Sequence, residues 1–275
     1  MEIGKELFGG YLDESEDSGT KIYVVGGFVG KQTVWSELEP KWLESLPSGI
    51  SCFHATDCFT GNKAFRQIDI PQRVALLDKL TDLIVAHELF LVGYGIDATT
   101  YEKVAPKAKQ NEFLTNKYAA PFGGVVELAC HVMGNLPGPL EVFKVLRQGE
   151  NWEQCAFFIE SNEYSASAHQ EIENLRKSRD LWWVHRIGPD NYGSKSGASG
   201  IPLLQVADLG AFLAAKHLSK APEGKISWKT YYEKLTSGRV HSMRIADEDS
   251  LLKLHKMHQD LEREAKEGRH YLDDF

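Results

Sequence analysis

GGYLDESEDSGTKIYVVGGFVG, residues 9 to 30, is the stretch on which the fold turns. Its second half carries Ile22, Tyr23, Val24, Val25, Phe28 and Val29, a β-branched and aromatic run interrupted by two glycines, and reads as a buried strand. Its first half brings Tyr11 and Leu12 directly into Asp13, Glu14, Glu16 and Asp17, with Gly19 closing the group. Together the halves predict a hairpin whose turn holds the acidic cluster. Taken alone, those carboxylates need no more than a solvated turn. They become a site only if distant parts of the chain supply partners.

Working outward, LFLVGYGID (89–97) is a second buried strand ending on Asp97, CAFFIES (155–161) a short strand that ends near Glu160, and DLWWVHRIGP a further strand. VWSELEPKWLESLPSG predicts a short helix ending at Pro47 and Gly49. PQRVALLDKLTDLIVAHE, opening on Pro71, has Val74, Leu77, Leu80, Leu83 and Ile84 at amphipathic spacing. A helical region covers about 100–135, and its later part, FGGVVELACHVMG, is apolar all round except for Glu127 and His131. SASAHQEIENLRKSRD reads as an exposed helix. IPLLQVADLGAFLAAKHLSK reads as a helix opening soon after Pro202, with Leu204, Ala207, Leu209, Phe212 and Leu213 on its buried side. FHATDCFTGNKAF (53–65), residues 136–153 and GPDNYGSKSGASG read as loops, and beyond about residue 224 the chain turns polar and helical.

A chain of 275 residues can bury a sizeable core, and one main core is expected. The formal charge of −8 argues against a broad, sequence-blind grip on nucleic acid but leaves room for a local basic path. No run reaches the roughly 18 to 20 apolar residues of a membrane span. The opening MEIGKELFGG lacks the order of a secretory signal, so a cytoplasmic location without membrane partners is expected. Cys52, Cys58, Cys130 and Cys155 form no CxxC pair and read mostly as small buried hydrophobes.

Three acids stand out by position: Asp13 after the first apolar pair, Glu160 at a strand end, and Asp208 inside an apolar helix with only Gln205 for polar company one turn earlier. An ionised carboxylate in such surroundings is costly unless it is paired or holds a cation. Carboxylates converging from separate elements are what Mg²⁺ or Mn²⁺ requires, and two such ions can drive phosphodiester hydrolysis. No GxSxG elbow, HExxH or P-loop competes for the chemistry. The alternatives stay open: a solvated turn for Asp13 and Glu14, a surface acid for Glu160, and an Arg or Lys partner for Asp208.

With these residues in view, the chain resembles the domain-of-unknown-function family 3800, assigned to the ribonuclease H-like superfamily. The matching stretches are YLDES (11–15), VVGGFVG (24–30), FHATD (53–57), FFIES (157–161) and PLLQVADLGAF (202–212). Here Ser15 is followed by Glu16, Asp17 and Ser18 before Gly19, where the family usually reads Asp-Glu-Ser-Gly. The resemblance implies an α/β fold with a mixed central sheet of about five strands flanked by helices. It would occupy residues 1–220, with a helical insertion at about 98–153 and a helical C-terminal extension, 221–275, packed on the same domain. It also implies a first-strand Asp13, a fourth-strand Glu160 and a late-helix Asp208 around Mg²⁺ or Mn²⁺, with Glu14 and Glu127 as further ligands. The family position of Glu160 often carries Asp, so the longer side chain bears on ion geometry. His54 of FHATD is a candidate for proton transfer or a phosphate contact.

Gln205, read either as orienting a metal-bound water or as capping the packing beside Asp208, is a candidate substrate contact with Arg186 and Lys195, the last two from the basic group Arg176, Lys177, Arg179, His185, Arg186 and Lys195. The expected activity is metal-dependent phosphodiester hydrolysis, as a nuclease on nucleic acid. The alternatives are a hydrolase of nucleotides or other small phosphate esters, and a non-catalytic binding module of a mobile-element or defence system.

Overall fold

The computed structural model describes residues 8–17, 19–104, 119–134, 155–160, 192–195, 201–239, 241–253, 256 and 263. Its frame is a six-stranded mixed sheet in the order β5-β4-β1-β2-β3-β6. The strands are β1 (Phe8–Asp17), β2 (Ile22–Lys31), β3 (Phe90–Asp97), β4 (Cys155–Glu160), β5 (Tyr192–Gly193) and β6 (Ser242–Ala246). β2 alone runs against the others, antiparallel to β1 and β3, while β4 lies parallel to β1, β5 to β4 and β6 to β3.

The hairpin of residues 9 to 30 forms, with a correction to its turn. β1 continues to Asp17, so Asp13 and Glu14 lie in the strand, opposite Gly26 and Val25, and the acids are not in the reversal. The reason is the register: Asp13 is only 3 % exposed, and each residue from 13 to 17 finds a ladder partner on β2. Asp17 closes the strand, with its backbone carbonyl accepting from the Thr20 and Lys21 amides.

Helices cover both faces. The first four are α1 (Gln32–Ser45), α2 (Ala55–Thr60), α3 (Ile70–Ala86) and α4 (Ala98–Val104). They are followed by α5 (Ala119–Gly134), α6 (Leu204–Leu218) and α7 (Trp228–Thr236). α6 crosses β1, β2 and β3 on one face, while α5 packs on β3 and β2 from the other. The alternation along β3 shows it: a Cβ on Gly93 would meet Ala214 of α6, whereas Tyr94 lies against Gly124 of α5. The main core sits on the α6 side. Trp35 and Trp42 of α1 are fully buried there, and the Trp35 indole donates to the Gly9 carbonyl at 2.8 Å. Tyr11 stacks on Phe158 with ring centroids 4.6 Å apart, tying β1 to β4.

α3 begins one residue before Pro71, with Asp69 as its N-cap in a capping box with Gln72. α1 begins two residues before Val34, ends at Ser45 ahead of Pro47, and accommodates Pro40 inside it. FHATDCFTGNKAF is not a loop: it folds into α2 and a short 3₁₀ turn, Lys63–Phe65, because Phe53, Phe59 and Phe65 bury their rings in the core. Cys58 is buried, as read, and Cys52 is half-buried. The C-terminal part is not wholly helical, since it supplies β6 beside β3. The strand read at DLWWVHRIGP and the helix read at SASAHQEIENLRKSRD lie outside the described residues. No helix among the described residues is long and apolar enough to cross a membrane.

One contact governs how α6 sits. A Cβ on Gly210 would lie 2.9 Å from the Gly27 Cα and 2.8 Å from the Phe28 ring, and one on Gly26 would lie 3.2 Å from the Ala211 Cα. Glycine on both partners lets helix and strand backbones approach with no side-chain layer between them. Asp208, two residues before Gly210, is thereby held over the sheet.

Candidate functional site

Three parallel strands, β1, β4 and β5, deliver charged residues to one end of the sheet. Leu12 pairs with Ile159, so Asp13 and Glu160 follow on adjacent strands. Glu160 pairs with Gly193, and Lys195 comes two residues later. Clefts at the carboxyl ends of strands are where open α/β sheets carry ligands. α6 brings Asp208 across this end from the buried face.

The Lys195 ammonium lies 2.6 Å from Asp13 Oδ2, 3.0 Å from Asp208 Oδ1 and 3.2 Å from Glu160 Oε2. Lys195 is 8 % exposed and Asp208 7 %, so water does little of the screening. Carboxylate oxygens of Asp13, Glu14 and Glu160 also lie within 4.8 Å of one another. Burial pushes the Asp13 carboxyl well above its ordinary value; the Lys195 ammonium pulls it down, while Asp208 and Glu14 add to the rise. Glu14 is raised chiefly by burial too. Burial acts to lower Lys195, but Asp13, Asp208 and Glu160 outweigh it and hold the ammonium charged well above its usual range.

Asp208 uses both oxygens. Oδ1 accepts from Lys195, and Oδ2 accepts from the Ala55 amide at the start of α2. His54, just before that amide, has a side chain 40 % exposed; its Nε2 lies 3.8 Å from Asp208 Oδ1 and its Nδ1 3.6 Å from Asp57 Oδ2, beyond hydrogen-bond length. Lys63 pairs with the same Asp57 oxygen at 3.3 Å.

Asp13, Glu14, Glu160, Asp208 and His54 are thus gathered from three elements, β1, β4 and α6, and the segment that leads into α2. The lysine partner weighed for Asp208 exists as well, and it is shared with Asp13 and Glu160. Lys195 differs from expectation, and of the two readings of Gln205 the structure favours the packing one. Lys195, read as a substrate contact on a flexible loop, is the internal counter-ion of the acids. Gln205 is 1 % exposed, and its amide faces inward: Oε1 accepts from the Phe53 amide at 2.8 Å and the Trp42 indole at 3.4 Å, and Nε2 donates to the Lys195 carbonyl at 2.8 Å. It ties α1, the 53–55 segment and residue 195 together. Arg186 lies outside the described residues, as does the side chain of Glu127, whose helix α5 packs on β3 and β2 from the face opposite α6.

The sequence reading missed the placement of Lys195. A lysine amid Gly193, Ser194, Ser196 and Gly197, just ahead of a helix carrying a buried acid, is the signal that was present. Comparison with protein-family models, with curated proteins and with solved structures returned no match.

Proposed function

We propose that the chain is a divalent-cation-dependent phosphodiester hydrolase acting on nucleic acid, with a ribonuclease H-like arrangement and kinship to the domain-of-unknown-function family 3800. The observation that carries this reading is a cluster of carboxylates at the ends of two adjacent parallel strands and on α6: Asp13, Glu160 and Asp208 around one ammonium, with Glu14 beside Asp13 and Glu160. A single lysine leaves them with excess negative charge in a largely buried place, which a hard cation relieves and water does not. The donor set, all carboxylate oxygen, fits Mg²⁺ or Mn²⁺ and not a soft metal. The acid positions on the first strand, the fourth strand and a late helix support the superfamily assignment.

Asp13, Glu14 and Glu160 would hold the ion, with Asp208 completing the set from α6. A bound divalent ion supplies a water of lowered pKa and stabilises the leaving oxygen of a phosphodiester. The chain's own part is positional: β1 and β4 fix two acids by their ladder, and the Ala55 amide fixes Asp208. His54, whose side chain reaches solvent beside Asp208, is the group able to carry a proton to or from substrate.

The test is incubation of the purified chain with Mg²⁺ or Mn²⁺ and RNA, DNA, hybrid and small phosphate-ester substrates. Asp13→Asn and Asp208→Asn run alongside. Cleavage by the parent and at least a hundredfold loss in both variants is expected; an inert parent on every substrate refutes the reading. A second reading is favoured by the Lys195 contacts, which already neutralise part of the cluster: a non-catalytic binding module in which the acids hold the loop together. Under it, Asp208→Asn leaves partner binding unchanged.

A further inference from the structure

The backbone and the side chain of Lys195 are held by different things. The Lys195 carbonyl accepts from Gln205 Nε2 at 2.8 Å and lies 3.9 Å from Cys52 Sγ. The Ile201 amide donates to the carbonyl of Ser194, the residue before Lys195, at 2.7 Å. The ammonium, in contrast, has carboxylate oxygens of Asp13, Asp208 and Glu160 at 2.6 to 3.2 Å. A four-carbon stem with free rotation joins the two ends.

A divalent ion bound by Asp13 and Glu160 needs oxygens at about 2.0 to 2.2 Å. The ammonium already touches one oxygen of each, Asp13 Oδ2 and Glu160 Oε2. Two cations sharing these carboxylates would sit within a few ångströms of each other, beside the buried Asp13 and Asp208. Either the lysine or the ion occupies the position.

We infer that the Lys195 ammonium is a built-in occupant of the cation position between Asp13, Glu160 and Asp208, and that a divalent ion enters only by exchange for this side chain. The inference rests on the metal reading above and deepens it. The anchored carbonyl means that exchange needs only rotation of the Lys195 side chain, with the Gln205 contact kept. The displaced ammonium, still tethered beside the ion, is then available to a phosphate oxygen of the substrate.

Two measurements test this, neither using catalysis. In the first, Mn²⁺ is titrated calorimetrically into the parent and into Lys195→Met, with thermal melts confirming that both are folded. Removal of the competitor should tighten Mn²⁺ binding at least tenfold. In the second, the parent chain is acetylated with an amine-reactive reagent with and without saturating Mn²⁺, and Lys195 is quantified by peptide mass spectrometry. Its labelling should rise at least fivefold with the ion, and Asp13→Asn should abolish that rise. Equal or weaker binding by a folded Lys195→Met overturns the exchange while leaving the metal reading standing. Lys195 still protected in the Mn²⁺ complex does the same, and decides the matter if the variant does not fold. Absence of Mn²⁺ binding in both proteins overturns the metal reading and the exchange with it.

Discussion

Replacing Gln205 with leucine tests how the site is suspended from the core. The side chain is 1 % exposed, and leucine has nearly the same volume, so the packing change is small while every polar contact is lost. Two well-made bonds disappear, from the Phe53 amide at 2.8 Å and to the Lys195 carbonyl at 2.8 Å; the Trp42 indole contact at 3.4 Å is weaker. A buried donor or acceptor left without a partner costs about 1–3 kcal/mol, so the two together amount to roughly 2–6 kcal/mol. At about 2–4 °C per kcal/mol for a chain of this size, Tm should fall by about 10 °C. Thermal denaturation followed by circular dichroism measures the fall, and native-state hydrogen exchange locates it. The Phe53 amide should lose protection beyond what the global change explains. A Tm within about 2 °C of the parent, with Phe53 equally protected, would show that the Gln205 clamp is not what holds residues 53 and 195, and would refute the reasoning.

Gly210→Val places a Cβ 2.9 Å from the Gly27 Cα, a backbone atom that cannot yield, so α6 must lift; a loss of about 1–3 kcal/mol in chemical denaturation and weakened Mn²⁺ binding are expected. Lys216→Met concerns Asp17, whose carboxyl is raised by burial but more strongly lowered by hydrogen bonds from Lys216 at 2.7 Å and Thr20 at 2.8 Å. The net depression means that its contribution to stability is present above the ordinary value of 3.8 and is lost as pH falls through the lower folded value, so the Lys216→Met penalty should vanish in strong acid. Carboxyl NMR should show the Asp17 pKa rising in the variant. Asp13 and Glu14 shift the other way, so their protonated forms are favoured on folding, and that contribution is present below 3.8 and 4.5 and lost as pH rises through the raised values. Protons therefore compete with Mn²⁺ at higher pH than for ordinary carboxylates, and calorimetric titrations at pH 5, 6 and 7 should show steadily tighter binding.

The two central strands and α6 were legible because their residues leave little freedom. VVGGFVG and LFLVGYGID can only be buried strands, and LLQVADLGAF places Asp208 on a helix whatever its neighbours are. Convergence of Asp13, Glu160 and Asp208 was legible through the resemblance, since periodicity says nothing about which strands lie side by side. α2 was not legible: six residues, ATDCFT, have too few turns to show a period, and the helix is fixed by rings of Phe53, Phe59 and Phe65 entering a distant core. β6 was hidden for a similar reason, being an edge strand whose SMRIA sequence is ambiguous until β3 offers it a partner. Lys195 was misread because local composition marks a solvated loop, while the charges that draw it inward come from residues 13, 160 and 208.

The bare crossing of α6 over Gly26 and Gly27 has a consequence for how this protein can diversify. Most helices ride on a cushion of side chains that can be repacked, tilting the helix and whatever it carries by small increments. Here that cushion is missing, so the aspartate on α6 inherits the stiffness of the sheet itself. Substitutions that respect this crossing would leave α6 and the sheet in place, so variation near Asp208 is confined to the residues that meet it from outside, among them His54 and Lys195.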